Sequence, residues 1–253
     1  MKITITPLYF GKFEDFEKSR FTHQKDVGIK LDVAILAYLI RRGEELYLVD
    51  SGTPEPELAK TMDNRAITDG RSIIDILAEH NVKPEDINTV ILTHVHWDHA
   101  FNLNYFKHAT IYVQKAELQY AVAPLWLDIV PYGYSKKNGQ PCWFDGFMQM
   151  KVMDGDYILN EDISVYHLPG HTPGMQGVLV NTEEGKYMIA SDNLPLYDNW
   201  ESVRPTAVHV SIQDWYESYL KIKDLADFIL PGHDMQAMTR SIYGIKQEVK
   251  KGI

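Results

Sequence analysis

The chain has one cysteine, Cys142, in 253 residues, which excludes an internal disulfide framework and any thiolate cluster. It has no apolar run long enough to span a membrane. Its first residues, Met1-Lys2-Ile3-Thr4-Ile5-Thr6-Pro7, alternate polar and apolar without the long apolar stretch and small-residue cleavage site of a secretory signal. A cytoplasmic chain with no membrane partner is the expectation. There is also no run of lysines or arginines, and the formal charge is −10, so a phosphate backbone finds little to bind and nucleic acid is not expected as a partner. Twelve prolines and sixteen glycines are scattered without a low-complexity linker, and no internal repeat is evident. With 45% apolar residues, that points to one domain over 1–253.

What the chain does have is ligand-type side chains in clusters. The densest is Thr93-His94-Val95-His96-Trp97-Asp98-His99, directly after the apolar run Thr89-Val90-Ile91-Leu92. In extended backbone, residues i and i+2 point to the same side, so His94 and His96 can grip one ion. Asp98 and His99 follow where the chain must turn and are free to face a second. His171 lies in Leu168-Pro169-Gly170-His171-Thr172-Pro173-Gly174, Asp192 ends the run Tyr187-Met188-Ile189-Ala190-Ser191, and His233 sits in Leu230-Pro231-Gly232-His233-Asp234. Taken singly, these three read as turn or cap residues. Taken jointly with the first cluster they make five imidazoles and two carboxylates, a set that fits two adjacent ions. Nitrogen-rich sites with carboxylate support suit zinc, with iron, manganese or cobalt as other occupants; magnesium and calcium want oxygen.

Strand-like runs occur at 3–10, 33–40, 45–49, 89–92, 110–113, 163–168, 176–180 and 186–190, with a short one at 228–230. Residues 181–185 read as a hairpin turn. Ser72 and Ser211 open capping boxes that lead into helices, and 115–122 and 240–250 are further helical candidates. Strands and helices in this order suggest an α/β (α+β) sandwich of mixed sheets with helices outside. Each ligand cluster lies just after a strand.

Through the HxHxDH motif at His94–His99 and the downstream His171, Asp192 and His233, the sequence resembles the metallo-β-lactamase-fold hydrolases. Leu48-Val49-Asp50-Ser51-Gly52 matches an early motif of the same family. The resemblance covers roughly residues 31–234 and implies a four-layer αββα sandwich with metals at one edge of the two sheets. It implies that His94, His96 and His171 hold one ion, that Asp98, His99 and His233 hold the other, and that Asp192 bridges, while Asp50 steadies a ligand from behind. Aspartate at the bridging position, where true β-lactamases carry cysteine or serine, argues against antibiotic hydrolysis.

The stretches 170–177, 191–197 and 230–234 most resemble the N-acyl homoserine lactonase (quorum-quenching) and pyridoxolactonase group. That likeness implies two zinc ions, a small-molecule lactone or ester substrate, and attack by a hydroxide shared between the ions, with Asp98 or Asp192 orienting it. In those lactonases a tyrosine three residues after the bridging aspartate touches the substrate carbonyl. Here that place is Pro195; Tyr197, two residues on, is either its substitute or a packed loop tyrosine. An aromatic-rich insertion at about 124–160 reads either as an apolar pocket over the metals or as a local subcore or homodimer contact. The 10–21 segment reads as an edge of the pocket or of an interface. The alternatives to a lactonase are a thioester hydrolase of the glyoxalase II type, whose basic C-terminal patch has no clear match in the charged tail Lys246-Gln247-Glu248-Val249-Lys250-Lys251, and a catalytically silent metabolite-binding metalloprotein.

Overall fold

Strand β2, Lys30–Arg42, shows how the layers arise. Its side chains alternate between two faces, and residues 33–40 are buried on both. Val33, Ile35, Ala37 and Leu39 enter one apolar cluster, and Ala34, Leu36, Tyr38 and Ile40 enter another. A strand buried on both faces needs a layer on each side. In this computed structural model, which describes residues 2–62, 66–134 and 139–246, those layers are present.

The first sheet has six strands in the order β1 (Ile3–Glu17), β2, β3 (Glu45–Val49), β4 (Thr89–Ile91), β5 (Thr110–Gln114) and β6 (Met150–Met153). The second has five, ordered β11 (Phe228–Pro231), β10 (Lys186–Ser191), β9 (Gln176–Asn181), β8 (Ile163–His167) and β7 (Tyr157–Ile158). One core lies between the sheets, joining Leu36, Tyr38 and Ile91 to Val165, Val178 and Ile189. A second lies between the first sheet and helix α2 (Ile73–Glu79), with α1 (Pro56–Met62) and α3 (Lys115–Val122) on the same side. A third buries Trp215, Tyr219 and Ile222 of α5 (Ile212–Leu225) against Met188 and Ala190 of the second sheet. Three cores between four layers make the αββα sandwich. Ser72 and Ser211 cap α2 and α5 through the backbone N–H groups of Asp75 and Asp214, as their sequences predict.

Two expectations need correction, the strand at 3–10 and the helix at 240–250, and further elements had no sequence reading. β1 does not stop at Phe10 but runs to Glu17, with irregular register between Tyr9 and Lys12 and between Phe13 and Phe16. Such bulges break the period-2 pattern on which a strand reading depends. The stretch 124–160, read as an aromatic-rich insertion, supplies edge strands β6 and β7 at its end. Short helix α4 (Tyr197–Ser202) carries no apolar periodicity that announces it. In place of the helix expected over 240–250, the described residues form a 3-10 turn at Met235–Thr239 and a bridge from Tyr243 to Ile5. Residues 247–250 lie outside the described residues, as does most of the basic tail.

Candidate metal centre

β3, β4 and β5 run parallel, as do β10 and β11, so their carboxyl ends gather at one rim, where loops can present side chains from a fixed scaffold. Asp50 follows β3, the His94–His99 loop follows β4, Asp192 follows β10 and His233 follows β11. His171 follows antiparallel β8. Two of the residues at this rim, Asp50 and Ser191, adopt left-handed φ values of 63° and 46°.

All seven of these potential ligands converge. Ligand atoms of His94, His96 and His171 lie within 4.8 Å of one another, as do those of Asp98, His99 and His233, and those of His94, His99 and Asp192. Asp192 stands between the two trios, with Oδ1 3.3 Å from His99 Nε2 and Oδ2 3.6 Å from His171 Nε2. Its carboxylate also lies 3.2 Å from His233 Nε2. The five rings and Asp192 are buried, and Asp98 is partly open.

The far sides of four of the five rings are held. His171 Nδ1 donates to the Val208 carbonyl at 2.7 Å and His233 Nδ1 to the Ala34 carbonyl at 2.6 Å. His99 Nδ1 meets Asp50 Oδ2 at 2.9 Å, and Asp50 also accepts from Thr93 N and Thr93 Oγ1. Such partners fix the tautomer and aim the other nitrogen at a common point. Thr93 Oγ1 lies 3.1 Å from His94 Nδ1.

The donor set fits a pair of transition-metal ions. Nε2 of His94 and of His99 are buried with no hydrogen-bond partner, an expensive arrangement for a purely structural cluster. His171 Nε2 faces His96 Nδ1 at 3.2 Å, nitrogen against nitrogen. Burial is the largest influence on all five rings and disfavours their charged forms. It prevails at His94, His96 and His171, whose pKa values are lowered, leaving lone pairs to share a cation. At His99 and His233 it is outweighed by Asp192 and Asp98, and the values rise. Asp192 is lowered because His233 and His99 outweigh its own burial.

Two features escape a reading of the sequence. Glu117, in the first turn of α3, is fully buried and accepts from Val95 N, Tyr132 Oη, Thr172 Oγ1 and Gly174 N. It thereby ties the His94–His99 loop to the His171 loop, and burial raises its pKa. A carboxylate in an ordinary helical stretch gives no sign of this. The glycines are more legible afterwards: a Cβ on Gly174 would sit 2.0 Å from Glu117 N, and one on Gly232 would sit 2.5 Å from Asp192 Oδ1. The Pro-Gly-His turn therefore leaves room for the Asp192 carboxylate beside His233.

A cavity of about 80 Å³ opens over the cluster, walled by Phe13, Phe16, Arg20, Phe21, Trp97, Pro131 and Val208. The segment 10–21 thus edges the pocket, and Phe21 stacks on His233 with centroids 5.0 Å apart. Among the described residues of the aromatic-rich 124–160 stretch, only Pro131 lines the cavity, while Tyr132 packs edge-on beneath His96. Tyr197 is not among the lining residues; it sits on α4 beside Tyr243 and Asp234, which, with burial, push its phenol up. The structure therefore favours the packed reading of this tyrosine. A larger cavity of about 490 Å³, lined by Lys2, Arg41 and His80, touches none of the seven potential ligands.

A four-layer sandwich with this cluster at the rim of its sheets defines the class. The chain belongs to the metallo-β-lactamase superfamily, whose family model matches residues 32–233. Among its relatives, it is 29% identical over 226 residues to an N-acyl homoserine lactonase of a Bacillus species, covering 83% of this chain and 84% of that one. It is 27% identical over 254 residues to the N-acyl homoserine lactonase of Bacillus cereus, covering 92% and 95%. A solved N-acyl homoserine lactone hydrolase, with the product N-hexanoyl-L-homoserine at its catalytic metal centre, superposes with a TM-score of 0.77. It is 23% identical, covering 94% of this chain and 96% of that one.

Proposed function

We propose that the protein is a dinuclear metal-dependent hydrolase that opens a lactone or similar cyclic ester. The observation that carries this reading is the convergence of seven side chains from four loops, with two buried imidazole nitrogens, Nε2 of His94 and of His99, making no hydrogen bond. His94, His96 and His171 would hold one ion and Asp98, His99 and His233 the other, with Asp192 shared. Zinc suits this donor set, and the lactonase relatives support the substrate class. Such ions would supply Lewis acidity and lower the pKa of bound water toward roughly 7.

The chain's own residues do the rest. Asp98 is the potential ligand most open to the cavity, so its carboxylate would orient the attacking water, accept its proton and return that proton to the departing alkoxide. Asp50 and the Val208 and Ala34 carbonyls keep the rings from turning. Phe13, Phe16 and Phe21 exclude bulk water and pack against the apolar part of the substrate.

A side-by-side assay of the metal-loaded protein on acyl lactones, S-acyl glutathione and β-lactams tests the reading. Lactone turnover that disappears on chelation and returns with metal is the expected result. Preferred thioester turnover would move the protein to the glyoxalase II type of chemistry. Absence of all turnover in fully loaded protein would favour a metabolite-binding role.

A further inference from the structure

Away from the metal centre, the cavity of about 490 Å³ gathers positive charge in a chain whose net charge is −10. One of its walls is the face of the first sheet that looks toward α2. Lys2, Thr4 and Thr6 alternate along the start of the chain and so share that face, with Leu39 and Arg41 of β2 beside them. The strand register fixes who neighbours whom. Thr4 is opposite Arg41 and Thr6 is opposite Leu39, while Gly43 N donates to the Lys2 carbonyl at 3.3 Å. Side chains directly opposite on paired strands stand about 5 Å apart. Leu39 packs in one core with Ile76 and Leu77 of α2, which turns this face toward the helix. The facing wall is the end of α2 and the turn after it, Glu79, His80 and Asn81.

The cations here lack counter-charges. Glu79 is the one acidic side chain among the described lining residues, and its carboxylate already accepts from Arg71. Lys2 and Arg41 meet no carboxylate among the described residues. Arg41 donates one N–H to the His80 carbonyl at 3.5 Å, which leaves the rest of its five-donor fork. Thr6 is buried, at 8% exposure, yet its hydroxyl makes no hydrogen bond among the described residues. A buried hydroxyl beside two uncompensated cations is a set of donors without an acceptor. We propose that this cavity is a binding site for a small organic carboxylate with a short apolar chain. The Arg41 and Lys2 side chains, with Thr4 and Thr6, take the carboxylate through charge-assisted hydrogen bonds. Ile242 and Ile245, on the same wall, take the chain. The volume falls within the range of about 300–1,000 Å³ that small-molecule sites occupy. Phosphate would use the same cations, but it offers the two isoleucines nothing to cover. The site touches none of the seven potential metal ligands, so it stands whatever the metal centre catalyses.

Amide NMR of the intact, zinc-loaded chain tests this with hexanoate, acetate and inorganic phosphate as probes. Hexanoate should move the amides of Gly43, His80 and Asn81 along one saturation curve, with a dissociation constant below about 1 mM. Acetate, which lacks the chain, and phosphate should each bind about fivefold more weakly or worse. Arg41→Gln should weaken hexanoate about tenfold at these amides, the loss expected of one charge-assisted hydrogen bond. Amides of residues 94–99 report any hexanoate at the metal centre separately, and their response should be the same in the variant. The variant's own spectrum shows whether it is folded. Should it not be, Lys2→Gln, at an exposed residue ahead of β1, replaces it and should weaken hexanoate in the same way. Amides that stay still under hexanoate, as they would in a cavity filled by another part of the chain, would overturn the proposal. So would curves unchanged by the substitution, or acetate or phosphate binding as tightly as hexanoate.

Discussion

Two aromatic-rich stretches flank the metal cluster, and they are used in opposite ways. The first, on the far end of β1 and the turn after it, closes over the site: Phe21 stacks on His233 and Phe13 meets Trp97 edge-on. The second, 122–149, sends Tyr132 and Trp143 inward but leaves Trp126, Phe147 and Met148 to solvent. What separates them is where each is tethered: the second stretch is anchored at Tyr132, to Glu117 beneath the His94–His99 loop, and the first is drawn over the cavity. Asn199 Nδ2 donates to the Phe21 carbonyl, Ala207 N to that of Arg20, and Asp198 pairs with Lys18 at 2.7 Å and Lys25 at 2.5 Å. These bonds pull the first stretch onto α4 and the loop that supports His171. Among the described residues, only Pro131 of the second stretch reaches the cavity wall. Aromatic content alone does not locate a substrate pocket; the polar anchors around it do.

That contrast can be broken or sharpened by measurement. The reference for a full loss of the site is Asp192→Asn, for which kcat/KM should fall by about 10³ with the thermal melt little changed, within the usual range for removing an acid–base group. Glu117→Gln weakens the tie between the two ligand loops. Metal affinity in a competitive chelator titration should fall about 10-fold or more, as expected when ligand-orienting partners are lost. Phe21→Leu keeps apolar volume but removes the ring over His233, and a loss of about tenfold in kcat/KM, mostly in KM, is expected. Trp126→Ala should leave kcat/KM within about twofold. An equal loss in these last two variants would end the distinction between the stretches.

The smallest effect concerns the tether. Burial works against the charge on Asp198, but Lys18 and Lys25 outweigh it and hold the carboxyl at about 2, below its ordinary value. A depressed carboxylate contributes stability above its unfolded pKa and loses it as pH falls through the folded one. The contribution is therefore complete above about pH 4 and lost between about pH 4 and 2. For a pair this exposed it amounts to at most about 1 kcal/mol. Urea midpoints of the original chain and of Asp198→Asn should differ at pH 6 and converge as pH falls through this window. A constant difference down to the lowest pH would remove the ion pair from the account.

The same contrast shows what the sequence could convey. His94 to His99 were legible because one strand end delivers four ligands in six residues. His171, Asp192 and His233 are each an ordinary turn residue until β8, β10 and β11 bring them to the same rim. Most strands were readable because both faces are buried in long apolar runs. The far end of β1 was not, since its bulges disrupt the alternation, and neither were β6 and β7, short edge strands with mixed exposure. Glu117 stayed hidden because its four donors come from three separate segments, and Tyr197 misled because proximity in sequence to Asp192 is not proximity of its hydroxyl to the cavity.

The central claim is that one rim holds two neighbouring ions, and elemental analysis after metal loading and exhaustive dialysis tests it most directly. The account predicts two transition-metal equivalents per chain, about one in His171→Ala, and fewer than two in Asp192→Asn. One equivalent or none in the unaltered chain, or two retained without His171, would contradict it.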